Sequence, residues 1–259
     1  FMIFETHAHY DDAIFDHDRE ELLCTMEKQG IGAIVNAGSS LDSIVRIREF
    51  IHQYSFMYGA AGIHPCDTGT LTEEHFLWLK EQCKHEKIVA VGEIGLDYYW
   101  KETDPAIQKM WFERQLLMAQ EVSLPVIIHS REAAKDTLDI MKSLHAEKTG
   151  GVIHCFSYSR EMAREFLELN VSFGIGGVIT FPNARKLKEA VDYIPMDRLL
   201  LETDSPYLSP VPYRGKRNSS LNLPFIIDKI AEIKGISSEK VIEITTDNAE
   251  KLFKVRCKG

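Results

Sequence analysis

A chain of 259 residues with 44% hydrophobic and 27% charged side chains has the balance of a globular protein, which excludes a mainly disordered, collagen-like or Gly/Pro-rich low-complexity chain. Thirty Lys and Arg against thirty-nine Asp and Glu leave a formal charge of −9, so there is no broad basic face for duplex DNA, although an enzyme whose positive charge is local or supplied by metal ions stays open. No apolar run reaches the roughly 18 residues of a membrane span, and no secretory signal pattern opens the chain. Phe1 ahead of Met2 reads as a leftover residue and is set aside. The five cysteines, Cys24, Cys66, Cys83, Cys155 and Cys257, form no CxxC pair and fit a reduced, cytoplasmic chain.

In chain order, short β-type runs are expected at Met2–Glu5, Ala33–Asn36, Met57–Ala61, Ile88–Val91, Val126–Ile128, Val152–Ile153, Val171–Phe173 and Leu199–Leu201. Most are continuously apolar, as suits a sheet buried on both faces. Helical spacing of apolar residues lies between them, over Arg19–Gln29, Ile107–Val122, Met162–Leu169 and Arg185–Val191. Strand followed by helix, eight times, predicts an α/β fold with a parallel sheet, on the scale of a (β/α)8 TIM barrel forming one domain over residues 2–259. A doubly wound open sheet would show a similar alternation. After the eighth strand, Ser205–Asn218 holds three prolines with Arg214, Lys216 and Arg217 and reads as a long functional loop. Two further helices are expected near Pro224–Lys234 and Ser238–Phe253.

The histidines carry the chemical signal. His7 and His9 follow the first predicted strand, His64 the third, His129 the fifth and His154 the sixth, while Glu93 and Asp204 follow the fourth and the eighth. In a barrel the C-terminal strand ends form one ring, where active sites are built. Separations of 86, 36, 25 and 50 residues from His7 through Glu93, His129 and His154 to Asp204 rule out a local metal finger and suit a site assembled from strand ends. Imidazoles and carboxylates together point to a divalent metal. His7 and His9 share one face of an extended segment and reach one ion, and one carboxylate such as Glu93 bridges two ions through its two oxygens. His17, His52, His75, His85 and His145 read instead as solvated surface residues, and Cys66 and Cys155 as small buried hydrophobes. Arg131 and the Arg214, Lys216, Arg217 cluster are candidates for phosphate contact. Tyr98, Tyr99 and Trp100 either stack on bases or pack against neighbouring helices.

These residues resemble the TatD-related metal-dependent deoxyribonucleases, within the amidohydrolase-like barrels. The resemblance rests on Thr6-His7-Ala8-His9, Gly62-Ile63-His64-Pro65, Gly92-Glu93-Ile94-Gly95-Leu96-Asp97-Tyr98, Pro125 to Arg131, His154-Cys155-Phe156-Ser157, Glu202 to Leu208 and Pro212 to Asn218, in order along nearly the whole chain. It implies a somewhat distorted TIM barrel with extra C-terminal helices and two divalent ions (Mg, Mn or Zn). His7 and His9 would hold one ion, His129 and His154 the other; Glu93 would bridge them and Asp204 complete the first site. The chain departs from the family pattern at Glu5, where Asp is usual, at Ser219-Ser220, where Glu-Pro is usual, and at Tyr158, where Gly is frequent.

The expected activity is metal-dependent hydrolysis of DNA phosphodiesters, exonucleolytic on single strands, with Asp204 as the catalytic carboxylate that orients the attacking water or takes its proton. His64, Arg131 and Arg214 are expected to touch substrate phosphates. Single-stranded DNA is the expected partner, with no membrane and no obligate protein partner. The rival readings are a small-molecule amide, lactone or ester hydrolase on the same barrel, against which Glu93 at the fourth strand weighs, and a non-enzymatic scaffold.

Overall fold

The computed structural model describes residues 2–257, so Phe1 lies outside the described residues. The strands are β1 (Ile3–Ala8), β2 (Ile31–Ala37), β3 (Met57–Ala60), β4 (Ile88–Asp97), β5 (Val126–Arg131), β6 (Gly151–Ile153), β7 (Val171–Ile175) and β8 (Leu199–Leu201). They form one sheet in that order, and every described pair is parallel. The helices are α1 (Arg19–Thr25), α2 (Leu41–Gln53), α3 (Glu73–Gln82), α4 (Pro105–Val122), α5 (Ala134–Ser143), α6 (Arg160–Leu167), α7 (Arg185–Tyr193), α8 (Leu223–Lys234) and α9 (Ser238–Phe253). No described helix is long and apolar enough to cross a membrane.

Several strands run further than their apolar runs. β1, β4 and β5 continue through His7, Glu93 and His129, so these three side chains sit inside strands and not after them. An apolar run marks where a buried strand packs, and the backbone ladder does not stop where the side chains turn polar. α1 is shorter than its pattern, because a tight turn over Glu27–Gln29 and the left-handed Gly30 (φ 84°) bring the chain round into β2.

The chain divides into two compact units. One holds the residues up to Asn36, Cys155–Arg164 and those from Phe173 onward. Within it the first strand lies beside the last: Asp204 N donates to the His7 carbonyl at 2.9 Å and His9 N to the Ser205 carbonyl at 2.7 Å. α9 packs on β1 and β8, with Phe253 stacked 5.9 Å from Phe4 and the Asn248 amide donating to the carbonyls of Met196 and Leu199. α9 thus covers the two strands that stand at the ends of the sheet order.

The other unit holds Ala37–His154 and Glu165–Ser172. Its β3, β4, β5 and β6 are fully parallel neighbours, and β4 pairs with β5 through Gly95 and His129. Gly95 has φ 143°, and a Cβ there would lie 2.0 Å from the His129 carbonyl oxygen, so only glycine lets the two strands approach this closely. α4 lies along this unit with two buried glutamines on one face, Gln108 and Gln115.

Candidate metal centre

Each unit gathers its own group of metal-type donors. In the first, β1 presents His7 and His9 on one side of an extended segment. The ladder between His7 and Asp204 then sets the carboxylate beside them. His7 Nε2 is 3.1 Å from His9 Nε2 and 3.7 Å from Asp204 Oδ1, and His9 Nε2 is 3.4 Å from the same oxygen. Two ligands 2.0–2.1 Å from one ion stand about 3.0 Å apart in an octahedron and about 3.4 Å apart in a tetrahedron. The three donor atoms therefore have the spacing of a metal's coordination shell. Asp204 holds φ 57°, the left-handed region a non-glycine residue rarely adopts, and such strain persists where surrounding contacts over-determine it.

Glu5 braces this group from beneath. Its buried carboxyl accepts from Thr203 N at 2.8 Å, from Thr203 Oγ1 at 2.7 Å and, at 3.3 Å, from His7 N. Burial pushes it up to about 8. The departure from aspartate at this position thus places a longer carboxyl between β1 and the segment after β8.

In the second unit, Glu93 of β4, His129 of β5 and His154 just past β6 converge. Glu93 Oε1 lies 2.7 Å from His129 Nδ1 and 3.0 Å from His154 Nε2, and the two histidine nitrogens are 3.4 Å apart. This too is the spacing of donors around one ion. His64, four residues past β3, joins the same group, with Nε2 3.9 Å from Glu93 Oε1 and its ring 4.5 Å from that of His129. Its other nitrogen, Nδ1, accepts from Cys66 N.

Asp97 completes the second group and was not singled out among the candidate ligands. It sits four residues past Glu93 on β4, and its Oδ2 accepts from His129 Nε2 at 2.8 Å. That bond keeps a proton on Nε2, so that with an ion bound Nδ1 would be the ligating nitrogen, the usual support of a metal-bound histidine. Burial opposes a charged His129, yet hydrogen bonds from its ring to the Asp97 and Glu93 carboxylates raise its pKa above the ordinary histidine value. Desolvation likewise works against the Asp97 carboxylate, but the bonds from His129 and Trp100 N outweigh it and hold Asp97 below the usual carboxylate value. Period-two spacing from Glu93 through Gly95 to Asp97 was the signal available in the sequence.

Two further positioning residues gave no sequence signal. Gln115 of α4 accepts from Ile63 N at 2.8 Å and donates to the Ile63 carbonyl, fixing the peptide ahead of His64. Gln108, on the same helix, accepts from Asp97 N at 2.9 Å and donates to the carbonyls of Asp97 and Thr103. Both glutamines read as ordinary helix residues until the helix is docked.

The remaining candidates fall elsewhere. Arg131 is exposed at the end of β5, its guanidinium 3.8 Å above the Tyr99 ring. Arg214 is exposed with its guanidinium 4.1 Å above Phe181, and Arg217 forks onto Asp18 as a structural tie, so the basic loop cluster does not act as one group. Cys66 and Cys155 are half-buried rather than core residues, and burial, followed by the charge of Asp97, pushes the Cys66 thiol up to about 12. His17, His52 and His145 are exposed, while His75 and His85 are half-buried.

Residues 4–254 match the family model described as TatD related DNase. The chain belongs to the TatD-related DNase family. It is 45% identical over 254 residues to an uncharacterized metal-dependent hydrolase, YabD, of Bacillus subtilis, covering 98% of this chain and 100% of that one. It is 34% identical over 245 residues to a protein of Cronobacter sakazakii named 3′–5′ ssDNA/RNA exonuclease TatD, covering 92% of this chain and 93% of that one. The crystal structure of the TatD homologue YjjV from Escherichia coli superposes with a TM-score of 0.92 at 29% identity, covering 98% of both chains. The fold is therefore the (β/α)8 barrel of the TatD family with added C-terminal helices, and the chain is a metal-dependent hydrolase of that family.

Proposed function

We propose that this TatD-family hydrolase cleaves phosphodiester bonds of single-stranded DNA from an end, using two divalent ions. The observation that carries the reading is the pair of three-atom donor groups, His7, His9 and Asp204 in one unit and Glu93, His129 and His154 in the other, each with metal-shell spacing. The name of the Cronobacter relative supports a nucleic-acid substrate. When bound, divalent ions at such groups supply an activated water and neutralise charge on a phosphate.

The chain's own residues do the rest. His7, His9, His129 and His154 remain neutral when they ligate, and Asp97 keeps the His129 proton on Nε2. Asp204, mostly buried beside the His7 and His9 imidazoles, orients the attacking water or accepts its proton. His64 lies against the second donor group, close enough to meet a substrate phosphate held there. Arg131 and Arg214 are exposed cations for neighbouring phosphates. The ions are Mg, Mn or Zn: imidazole-rich groups favour zinc in affinity, while turnover by Mg or Mn fits oxygen-rich substrates.

The test is hydrolysis of an end-labelled single-stranded oligonucleotide with Mg or Mn, with EDTA, and with His129→Ala. Metal-dependent shortening that the variant lacks supports the proposal, and the labelled end gives the direction of attack. An intact oligonucleotide from metal-loaded protein, together with cleavage of a lactone or amide panel, overturns it in favour of a small-molecule hydrolase.

A further inference from the structure

One exposed surface, of which only Arg131 entered the reading above, stands a single hydrogen bond away from the second donor group. β4 ends at Asp97, and the chain turns through Tyr98, Tyr99 and Trp100. Asp97 Oδ1 accepts from Tyr99 N at 3.0 Å and from Trp100 N at 2.9 Å, so the residue that orients His129 also fixes this turn. Tyr98 is turned toward the protein, its hydroxyl donating to Asp136 at 2.7 Å. Tyr99 and Trp100 are turned outward, 47% and 49% exposed, with their rings edge to face at 4.9 Å.

Arg131 completes the arrangement. It stands opposite Asp97 in the β4–β5 register, two residues beyond His129 on the same face of the strand. Its guanidinium lies 3.8 Å above the Tyr99 ring and 5.8 Å from that of Trp100. Among the described residues Arg131 forms no ion pair, in a chain whose formal charge is −9. Its charge is therefore available to an anion, while its stem and plane hold the Tyr99 ring in place.

Two adjacent aromatic rings left half in water, with an unneutralised cation seated on one of them, contribute little to the core and present π-faces to a ligand. We propose that Tyr99, Trp100 and Arg131 form a stacking platform for a nucleobase of the single strand, with the arginine beside the adjoining phosphate. The identity of the ligand as a single strand rests on the phosphodiesterase reading above. Since every base has a π-face, the platform accepts any base and discriminates against its absence.

The experiment measures binding, separately from cleavage. Fluorescence anisotropy with EDTA-treated protein compares a short labelled oligonucleotide with the same strand carrying abasic sites. Stacking energies by alanine substitution correspond to about 5- to 150-fold in affinity per base, so wild type should prefer the base-bearing strand by at least about fivefold. Trp100→Ala should reduce that preference to near unity, Tyr99→Ala should weaken it, and Trp100→Phe should keep most of it. Equal affinity of wild type for the two strands, no measurable binding of either, or a preference untouched by Trp100→Ala and Tyr99→Ala overturns the platform. A base preference that depends on Trp100 in a protein that cleaves no phosphodiester would leave the platform standing and remove the nuclease reading alone.

Discussion

Asp97→Asn tests the second donor group through the carboxylate that accepts from His129 Nε2. Asp97 uses both oxygens: Oδ2 accepts from His129 Nε2 at 2.8 Å, and Oδ1 accepts from the N–H groups of Tyr99 and Trp100 at 3.0 and 2.9 Å. Asparagine has the same shape but one acceptor oxygen. If that oxygen stays on the two backbone N–H groups, the amide NH2 faces His129 Nε2, which must then accept. The neutral imidazole carries its proton on Nδ1 instead, the atom that lies 2.7 Å from Glu93 Oε1, and is lost as a metal donor. If the amide turns over, the two backbone donors face an NH2 group, and each loses a bond at about 1–3 kcal/mol. Loss of such a support costs a metal site about 10- to 100-fold in affinity, or about 1.4–2.8 kcal/mol. The assay is zinc affinity by competition with a chelator, with circular dichroism to confirm the fold. An unchanged zinc affinity in a folded Asp97→Asn protein would refute the tautomer argument and with it the assignment of His129 Nδ1 as a ligand.

Four other outcomes follow from the same contacts. Gly95→Ala should lower stability by about 3 kcal/mol or prevent folding, read as a shifted urea midpoint, because its Cβ would strike the His129 carbonyl 2.0 Å away. Gln108→Leu strands buried peptide groups of Asp97 and Thr103 and should cost about 1–3 kcal/mol together with weaker zinc binding, whereas a loss of neither would remove its positioning role. A thiol reagent at pH 8 should modify exposed Cys24 quickly and Cys66 and Cys83 slowly, since burial holds both of the latter thiols up to about 12; rapid modification of Cys83 would contradict the packing. The Arg217 fork holds the Asp18 carboxyl below its ordinary 3.8, so the pair's stabilisation is present above that pH and is lost as pH falls through the lower folded value. Asp18→Asn should therefore lower the urea midpoint slightly at pH 7, by about 1 kcal/mol or less for a surface pair, with the gap to wild type closing in acid. A gap that widens in acid would reverse the sign of the argument.

The strand and helix alternation, the position of all eight strands and the two terminal helices were legible in the residues, because a sheet buried on both faces must be written as apolar runs. Strand ends were less legible: β4 continues six residues past Val91 because Glu93, Gly95 and Asp97 serve the ladder and the site together, and hydrophobicity records only the packing. His7, His9, Glu93, His129, His154 and Asp204, which the fold gathers into two clusters of metal-type groups, were visible in the residues as polar groups next to the apolar runs, although three of them lie inside strands and not after them.

What the linear order could not contain is which atoms meet. That His129 faces Glu93 with Nδ1 and Asp97 with Nε2 depends on the β4–β5 register, which Gly95 permits by leaving room for the His129 carbonyl. That Gln108 and Gln115 hold the peptides of Asp97 and Ile63 depends on where α4 docks. That Arg217 ties down a loop while Arg131 sits over two exposed rings depends on which carboxylates the fold brings within reach. Residue type and period determine which segments are buried and what chemistry is available, because hydrophobicity and ligand character belong to single residues. Distance, tautomer and exposure belong to pairs of residues far apart in the chain, and only the packed barrel decides them.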